Sequence, residues 1–223
     1  MPVNLFGQTR EWDMASPLIE DMAQGIGLPV TGDAATLSFF PTKNLGCMGD
    51  GGAVLTNRDD VAEQVRLLRT HGARTKYHHE AVGMNSRLDA IQAAILSVKL
   101  RHLRAWQDER DDIAECYAEG LAGIEGLTLP AVRGPHVWNQ YTVRIGNGRR
   151  DDVKAALAAQ GLETAIYYPE PLHLQPAFAF IGYKRGDFPE AERACAEVLS
   201  LPIYPGLTPE EQDDVMAALR AAM

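Results

Sequence analysis

Apolar residues at Leu88, Ile91, Ile95 and Val98 recur in steps of three and four, and the pattern predicts one long helix from Ser86 to Gly120. Upstream, Val61, Val65 and Leu68 show the same period, so Asp59 to His71 reads as a helix with Gly72 as its stop. The stretch QDERDD at 107–112 interleaves both charge signs and reads as a solvated helix face. Beyond EGLAGIEGLTLP the period drops to two. Tyr141, Val143 and Ile145 alternate in NQYTVRIG, which predicts a strand. Asp151 to Gln160 is a short helix capped by Gly161 in the left-handed conformation. LETAIYY is predicted as a second strand, closed by Pro169 and Pro171, and Pro189 to Leu199 as a helix leading into the extended SLPIYP. The last helix carries its own start signal: Thr208 as N-cap, Pro209 at the first position and Glu211 three residues on, a capping box.

Residues 1–58 differ, holding short strand-like pieces (MPVNLFG, ATLSFF, GAVLTN) and hardly a helix. Parallel strands need crossovers of a dozen or more residues, and here the crossovers look clipped. The chain thus divides into a first part over 1–105, a connecting helix over 106–124 and an α+β unit over 125–223.

Composition narrows the function classes. The 223 residues are 46% hydrophobic and 23% charged, ordinary for a soluble globular protein, and can bury a sizeable core. A net charge of −9 without a Lys/Arg cluster argues against a nucleic-acid or acidic-membrane partner. The apolar runs are too short to span a bilayer, and MPVNLFGQTREWD lacks the cationic start of a signal peptide. Cys47, Cys116 and Cys195 form no CxxC and are odd in number, which suits reduced thiols in the cytoplasm. His71, His78, His79 and Glu80 offer no metal framework, because adjacent histidines diverge and neither HExxH nor CxxC is present.

One segment raises a chemical question. In LSFFPTKNLGCMGDGGAVLTN, Lys43 is the only basic residue between Arg10 and Arg58, set ahead of Gly46, Gly49, Gly51 and Gly52. The phosphate-cradling motif GxxxxGK[ST] fails, because these glycines follow the lysine. Two readings stay open: a lysine snorkelling from a surface loop, or an amine desolvated until it becomes a carbonyl-reactive nucleophile. GDGG at 49–52 reads as a tight turn that lets backbone pass close behind the lysine. Ser38 lies five residues before Lys43, and IEDMAQGIG places Asp21 and Gln24 after a short apolar piece. A pyridoxal phosphate site needs a lysine that takes the cofactor covalently, a carboxylate for the pyridine nitrogen and donors for the phosphate. Taken singly, Asp21 is a loop or cap residue and Ser38 a strand serine.

EDMAQ, SFFPTKNLGCMGDGGAVLTN, RTHGARTKYHHEAVGMNSRLDAIQAAIL, NQYTVRI and YYPEPLHLQ together resemble the DegT/DnrJ/EryC1/StrS aminotransferases, over nearly the whole chain. The resemblance implies an α/β fold of the fold type I, aspartate aminotransferase-like class: a large domain with a mainly parallel sheet, and a small C-terminal α+β domain. It implies an enzyme that uses pyridoxal 5′-phosphate to move an amino group from an amino acid, glutamate by resemblance, to a nucleotide-linked keto-sugar. Lys43 occupies the position of the cofactor-binding lysine, Asp21 that of the pyridine-nitrogen partner and Gln24 that of the polar residue near the ring. Ser38 matches the phosphate-binding serine. Asn85, in GMNSR, matches an asparagine that reaches the phosphate of the neighbouring subunit, which implies a homodimer. Tyr168 and His173, in YYPEPLH, match a loop near the substrate. Members that dehydrate their substrate carry histidine at the lysine position, so the lysine here implies transamination.

Against that family the chain looks shortened at its N-terminus. The absent portion would supply a glycine–threonine helix start for the phosphate and an aromatic ring to stack on the cofactor; a helix N-terminus is a strong anion site. Two further shortenings are expected, between Gln8 and Glu20 and at GLPVTGD, with exposed sheet edges and apolar faces as the consequence. The alternative to an active enzyme is a non-catalytic remnant or partner subunit that binds pyridoxal phosphate poorly.

Overall fold

Three short strands form the first sheet: β1 (Ile19–Asp21), β2 (Ala34–Ser38) and β3 (Gly52–Leu55), in the order β1-β2-β3. The computed structural model describes residues 1–9 and 17–223. They divide into one unit of Met1–Asp108 with Val132–Asn139 and a second of Glu109–Ala131 with Gln140–Met223. The shortening expected between Gln8 and Glu20, with Trp12 inside it, lies largely outside the described residues.

In the first unit β1 and β2 are parallel, Asp21 opposite Thr36, while β3 joins antiparallel with Ser38 opposite Gly52. Beyond β1, Val3 bridges Asp21 in parallel, fixed by the Asn4 N–H on the Asp21 carbonyl (2.9 Å) and the Asp21 N–H on the Pro2 carbonyl (2.8 Å). The strand-like reading of MPVNLFG thus reduces to one bridge. Leu5–Gly7 then forms a 3-10 turn with Phe6 at φ 61°. Residues 22–33 cross from β1 to β2 through turns, about the shortest parallel connection a chain can make.

Downstream come α1 (Asp59–Leu68), the hairpin β4 (Ala73–Thr75) and β5 (His78–His79), α2 (Ala90–Lys99) and α3 (Leu103–Gly120). α1 ends three residues before the predicted His71. The Thr70 hydroxyl donates back to the Arg66 carbonyl (2.9 Å) and the Gly72 N–H to that of Leu67 (3.0 Å). Gly72 has φ +70°, and a Cβ there would lie 1.9 Å from the Ala81 carbonyl oxygen, so glycine is required. The long predicted helix starts at Ala90 rather than Ser86, with Asp89 extended at the cap, and tightens to a 3-10 turn at Leu100–His102. Of its periodic residues, Ile91 is 74% and Val98 59% exposed, while Leu96 and Leu103 pack with Phe39, Leu45 and Cys47. A second cluster joins Met22, Leu28, Ala35 and Val137.

The second unit holds β6 (Leu127–Thr128), β7 (Tyr141–Ile145), α4 (Arg150–Ala159), α5 (Pro189–Glu197), β8 (Val198–Leu201) and α6 (Pro209–Ala222). Its sheet, β6-β7-β8, is antiparallel throughout. Tyr117 and Tyr141 are wholly buried, ring centroids 5.0 Å apart, and the Tyr117 hydroxyl donates to the Pro202 carbonyl (2.9 Å). The predicted capping box is present: the Glu211 N–H donates to Thr208 Oγ1 and the Thr208 N–H to the Glu211 carboxylate. LETAIYY is not a strand. Only Ala165 pairs, with Ser200, because the Leu162 N–H closes α4 on the Leu157 carbonyl (3.1 Å) and Pro169 and Pro171 offer no N–H. α5 stops at Glu197, two residues before the predicted end, where Val198 turns extended to pair with Arg144.

Glu20 holds the β1-to-β2 crossing together. Its buried carboxylate accepts the Thr31 and Gly32 N–H groups (2.7 Å each), the Thr31 hydroxyl (3.0 Å) and the Asn4 amide (3.1 Å). Burial alone would push the carboxyl pKa up; the hydrogen bonds from Asn4, Gly32 and Thr31 outweigh it and hold the value below 4.5. A depressed carboxyl contributes stability above its unfolded pKa, and that contribution fades as pH falls through the folded value. Glu20→Gln is therefore expected to cost about 1–3 kcal/mol near neutrality. In thermal melts the gap between wild type and variant should close as pH drops below 4.5. A gap that stays constant would remove this role. Thr208→Ala should cost about 1 kcal/mol in urea denaturation through loss of the cap.

Candidate active site

The connection from β2 to β3, residues 39–51, is folded back on itself by three backbone bonds. The Phe39 N–H donates to Gly51 (2.8 Å), the Cys47 N–H to Phe39 (2.8 Å) and the Lys43 N–H to Phe40 (2.9 Å). Lys43 therefore sits on a turn just past the end of β2. A Cβ at Gly46 would lie 2.4 Å from the Pro41 carbonyl oxygen and 2.7 Å from that of Phe40, which explains the glycine three residues after the lysine. The rest of the connection is tied from outside. Gln92 bonds Met48 through both amide atoms (2.8 and 3.3 Å), and the Lys99 ammonium donates to the Gly46 carbonyl. Within GDGG, a Cβ at Gly52 would lie 2.7 Å from the Leu37 carbonyl oxygen, so the glycine serves the close pairing of β3 with β2.

Burial pulls the Lys43 pKa below its ordinary value, and the Asp21 carboxylate offsets part of that shift. The Lys43 side chain is half-buried. Asp21 is the last residue of β1, oriented by accepting the Ala23 N–H on Oδ1 (2.9 Å). Ser38 ends β2, and its Oγ accepts the Phe40 N–H (3.3 Å). Gln24 is buried, with Oε1 accepting the Phe6 N–H (2.6 Å).

Sequence reasoning missed the support around this set. Asn44, beside the lysine, is buried; its Nδ2 donates to the Val137 carbonyl (2.6 Å) and its Oδ1 accepts from Asn139 Nδ2 (3.0 Å). The Asn139 N–H reaches the Phe6 carbonyl (3.0 Å) and the Val137 N–H that of Gly7 (2.8 Å). In the same segment His136 stacks on Trp138 at 3.7 Å and accepts its N–H on Nδ1 (2.9 Å); burial drives the imidazole pKa down to about 4, which keeps that acceptor neutral. Asn44, Asn139 and Glu20 all lie inside the quoted motifs, but as neighbours of the residues that drew attention.

Of the remaining predicted residues, Asn85 belongs to the first unit and Tyr168 and His173 to the second. Asn85 is exposed, its backbone bridging Thr70. Tyr168 is half exposed, and the largely buried His173 ring meets the Glu192 carboxylate at 2.9 Å and Phe188 at 4.8 Å between centroids. Among the described residues no group of His, Cys, Asp or Glu is placed to hold a metal ion.

The profile of the DegT/DnrJ/EryC1/StrS aminotransferase family matches residues 1–220. A "Pleiotropic regulatory protein" of Geobacillus stearothermophilus is 46% identical over 235 aligned positions, covering 97% of this chain and 63% of the relative. The dTDP-3-amino-3,4,6-trideoxy-alpha-D-glucose transaminase of Streptomyces venezuelae is 42% identical over 238 positions, covering 99% of this chain and 62% of the enzyme. The crystal structure of S. venezuelae DesV in complex with a ketimine intermediate matches with a TM-score of 0.91 at 41% identity, over 98% of this chain and 63% of that one. The chain thus spans less than two thirds of the length of these relatives.

The electrostatics of Lys43 have a direct consequence. Asp21→Asn removes the interaction that raises the lysine pKa and leaves the burial that lowers it, so the pKa should fall further. The pH profile of Lys43 acylation, followed by peptide mass spectrometry, is expected to move to lower pH in the variant. Movement to higher pH would mean that the two groups do not interact as described.

Proposed function

Because the chain belongs to the DegT/DnrJ/EryC1/StrS aminotransferase family, we propose that it is a pyridoxal phosphate-dependent aminotransferase. It would transfer an amino group from an amino acid, glutamate first among candidates, to a nucleotide-linked keto-sugar. The observation that carries this reading is Lys43: an amine of lowered basicity on the turn after β2, within electrostatic reach of a carboxylate at the end of β1. The name of the S. venezuelae transaminase supports a nucleotide-sugar substrate and a place in amino-sugar biosynthesis.

The residues present fit the cofactor. When bound, pyridoxal phosphate supplies an electron-withdrawing ring that takes up negative charge from the substrate carbon. Lys43 Nζ would bind it covalently, Asp21 would keep its pyridine nitrogen protonated, Gln24 would face the ring and Ser38 would donate to the phosphate. Released from that bond, Lys43 would carry a proton to and from the substrate carbon, a task suited to an amine whose burial makes it a weaker base than free lysine. Tyr168 and His173 would line the substrate loop.

The assembly we propose is a homodimer in which Asn85 reaches the neighbouring site. The exposure of Asn85 supports it, as do the uncovered apolar residues Val82 (98%), Ile91 and Val98 in the first unit. The fold reading is the fold type I class with a shortened large domain over 1–105, a connecting helix over 106–124 and a small domain over 125–223. An alignment of 238 positions to 99% of a 223-residue chain supports internal shortening. Three free cysteines suit a cytoplasmic protein, and among the described residues no helix is long and apolar enough to cross a membrane. A second reading, a non-catalytic subunit, is favoured by the name of the regulatory relative.

Glutamate and pyridoxal phosphate separate the two. The purified chain is expected to release 2-oxoglutarate, and Lys43→Ala to slow that release by about a thousandfold. Equal rates from both proteins, or no release above that of free pyridoxal phosphate, would leave the non-catalytic reading.

A further inference from the structure

Lys43 and Gln24 lie on different loops, and four hydrogen bonds join those loops. From Gln24 Oε1 the run passes to the Phe6 N–H (2.6 Å), from the Phe6 carbonyl to the Asn139 N–H (3.0 Å), and from Asn139 Nδ2 to Asn44 Oδ1 (3.0 Å). Asn44 Nδ2 then donates to the Val137 carbonyl (2.6 Å). Asn44 is the residue directly after the amine. We propose that the facing amides of Asn44 and Asn139 are the positioning element for Lys43, clamping its turn onto the 136–139 segment and thereby setting its distance from Gln24.

Three observations make the pair more than ordinary packing. Both side chains are buried, at 7% and 8% exposure, where an amide that loses its partner has no water to replace it. Each Asn44 amide atom is used on a different partner, so the side chain is fixed in rotation as well as in place. The segment it grips is itself held stiffly. Trp138 takes φ 43°, its ring stacks on His136, and a Cβ at Gly7 would lie 2.9 Å from both the Gln24 carbonyl oxygen and Val137 Cγ2. A turn that carries a reactive amine gains from such a brace, because a misplacement of about 1 Å can cost catalysis a hundredfold. The proposal relies on the aminotransferase reading for the purpose of the clamp, not for its geometry.

The test uses the full chain without cofactor. Lys43 is labelled with trinitrobenzenesulfonate across a pH series, quantified by peptide mass spectrometry, with the exposed Lys184 as internal reference. Loosening the turn lets water reach the amine and weakens the burial that depresses its pKa. Asn44→Ala and Asn139→Ala should each move the Lys43 midpoint upward, so that labelling near pH 8 falls by about threefold or more relative to Lys184. Asn139→Ala breaks the pair but leaves the Asn44 bond to Val137, so it should give the smaller movement, and the double variant should move the midpoint no further than Asn44→Ala alone. Midpoints equal to wild type, even with lowered melting temperatures, would reduce the pair to a structural contact. If either alanine variant does not fold, Asn139→Ser, which keeps a shorter donor, gives the same comparison: an intermediate midpoint supports the clamp and an unchanged one overturns it. Release of 2-oxoglutarate by wild type reports separately. Shifted midpoints without release keep the clamp and remove the aminotransferase reading; release with unshifted midpoints does the reverse.

Discussion

Taking an ammonium out of water raises its free energy unless a counter-charge or a lost proton compensates. At Lys43 both act: burial lowers the basicity of the amine and Asp21 offsets part of the loss. The architecture of the first unit follows from bringing those two groups near each other. β1 and β2 run parallel, so their C-terminal ends lie side by side and present Asp21 and Ser38 at the same edge. The connection after β2 then has to fold back tightly enough to place the lysine there, which Gly46 permits and Asn44, Gln92 and Lys99 enforce. Glu20, one residue before Asp21, anchors the crossover that makes the parallel pairing possible.

How much of this the sequence disclosed depended on how local the cause was. The capping box at Thr208 and Glu211 involves residues three apart and survives in the structure unchanged. The helical period of α1 is equally local, but its end is set by Gly72 against Ala81, a contact that no period encodes. LETAIYY has the composition of a strand, yet a strand needs a partner along its length and only Ser200 is offered. The predicted long helix shows a further limit. Periodicity marks Ile91 and Val98 as an apolar face without saying whether this unit or something outside it covers that face.

The candidate site divides the same way. Lys43, Asp21, Gln24 and Ser38 stand out by residue type and order, and in the structure Asp21 and Lys43 lie within electrostatic reach. Asn44 and Asn139 carry no signal as a pair, because they are 95 residues apart and each fills a spacer position inside a motif. The His173 ring is held by Glu192 and Phe188 within the second unit, contacts that the motif around it does not announce.

The account stands or falls on whether Lys43, among the lysines of this chain, is the one that takes a carbonyl cofactor. Borohydride added after pyridoxal phosphate converts a bound cofactor into a permanent pyridoxyl group that peptide mass spectrometry can locate. The account predicts the group on Lys43, at stoichiometry well above that on Lys76, Lys99, Lys154 and Lys184. An even scatter over the surface lysines, with Lys43 unmodified, would contradict it.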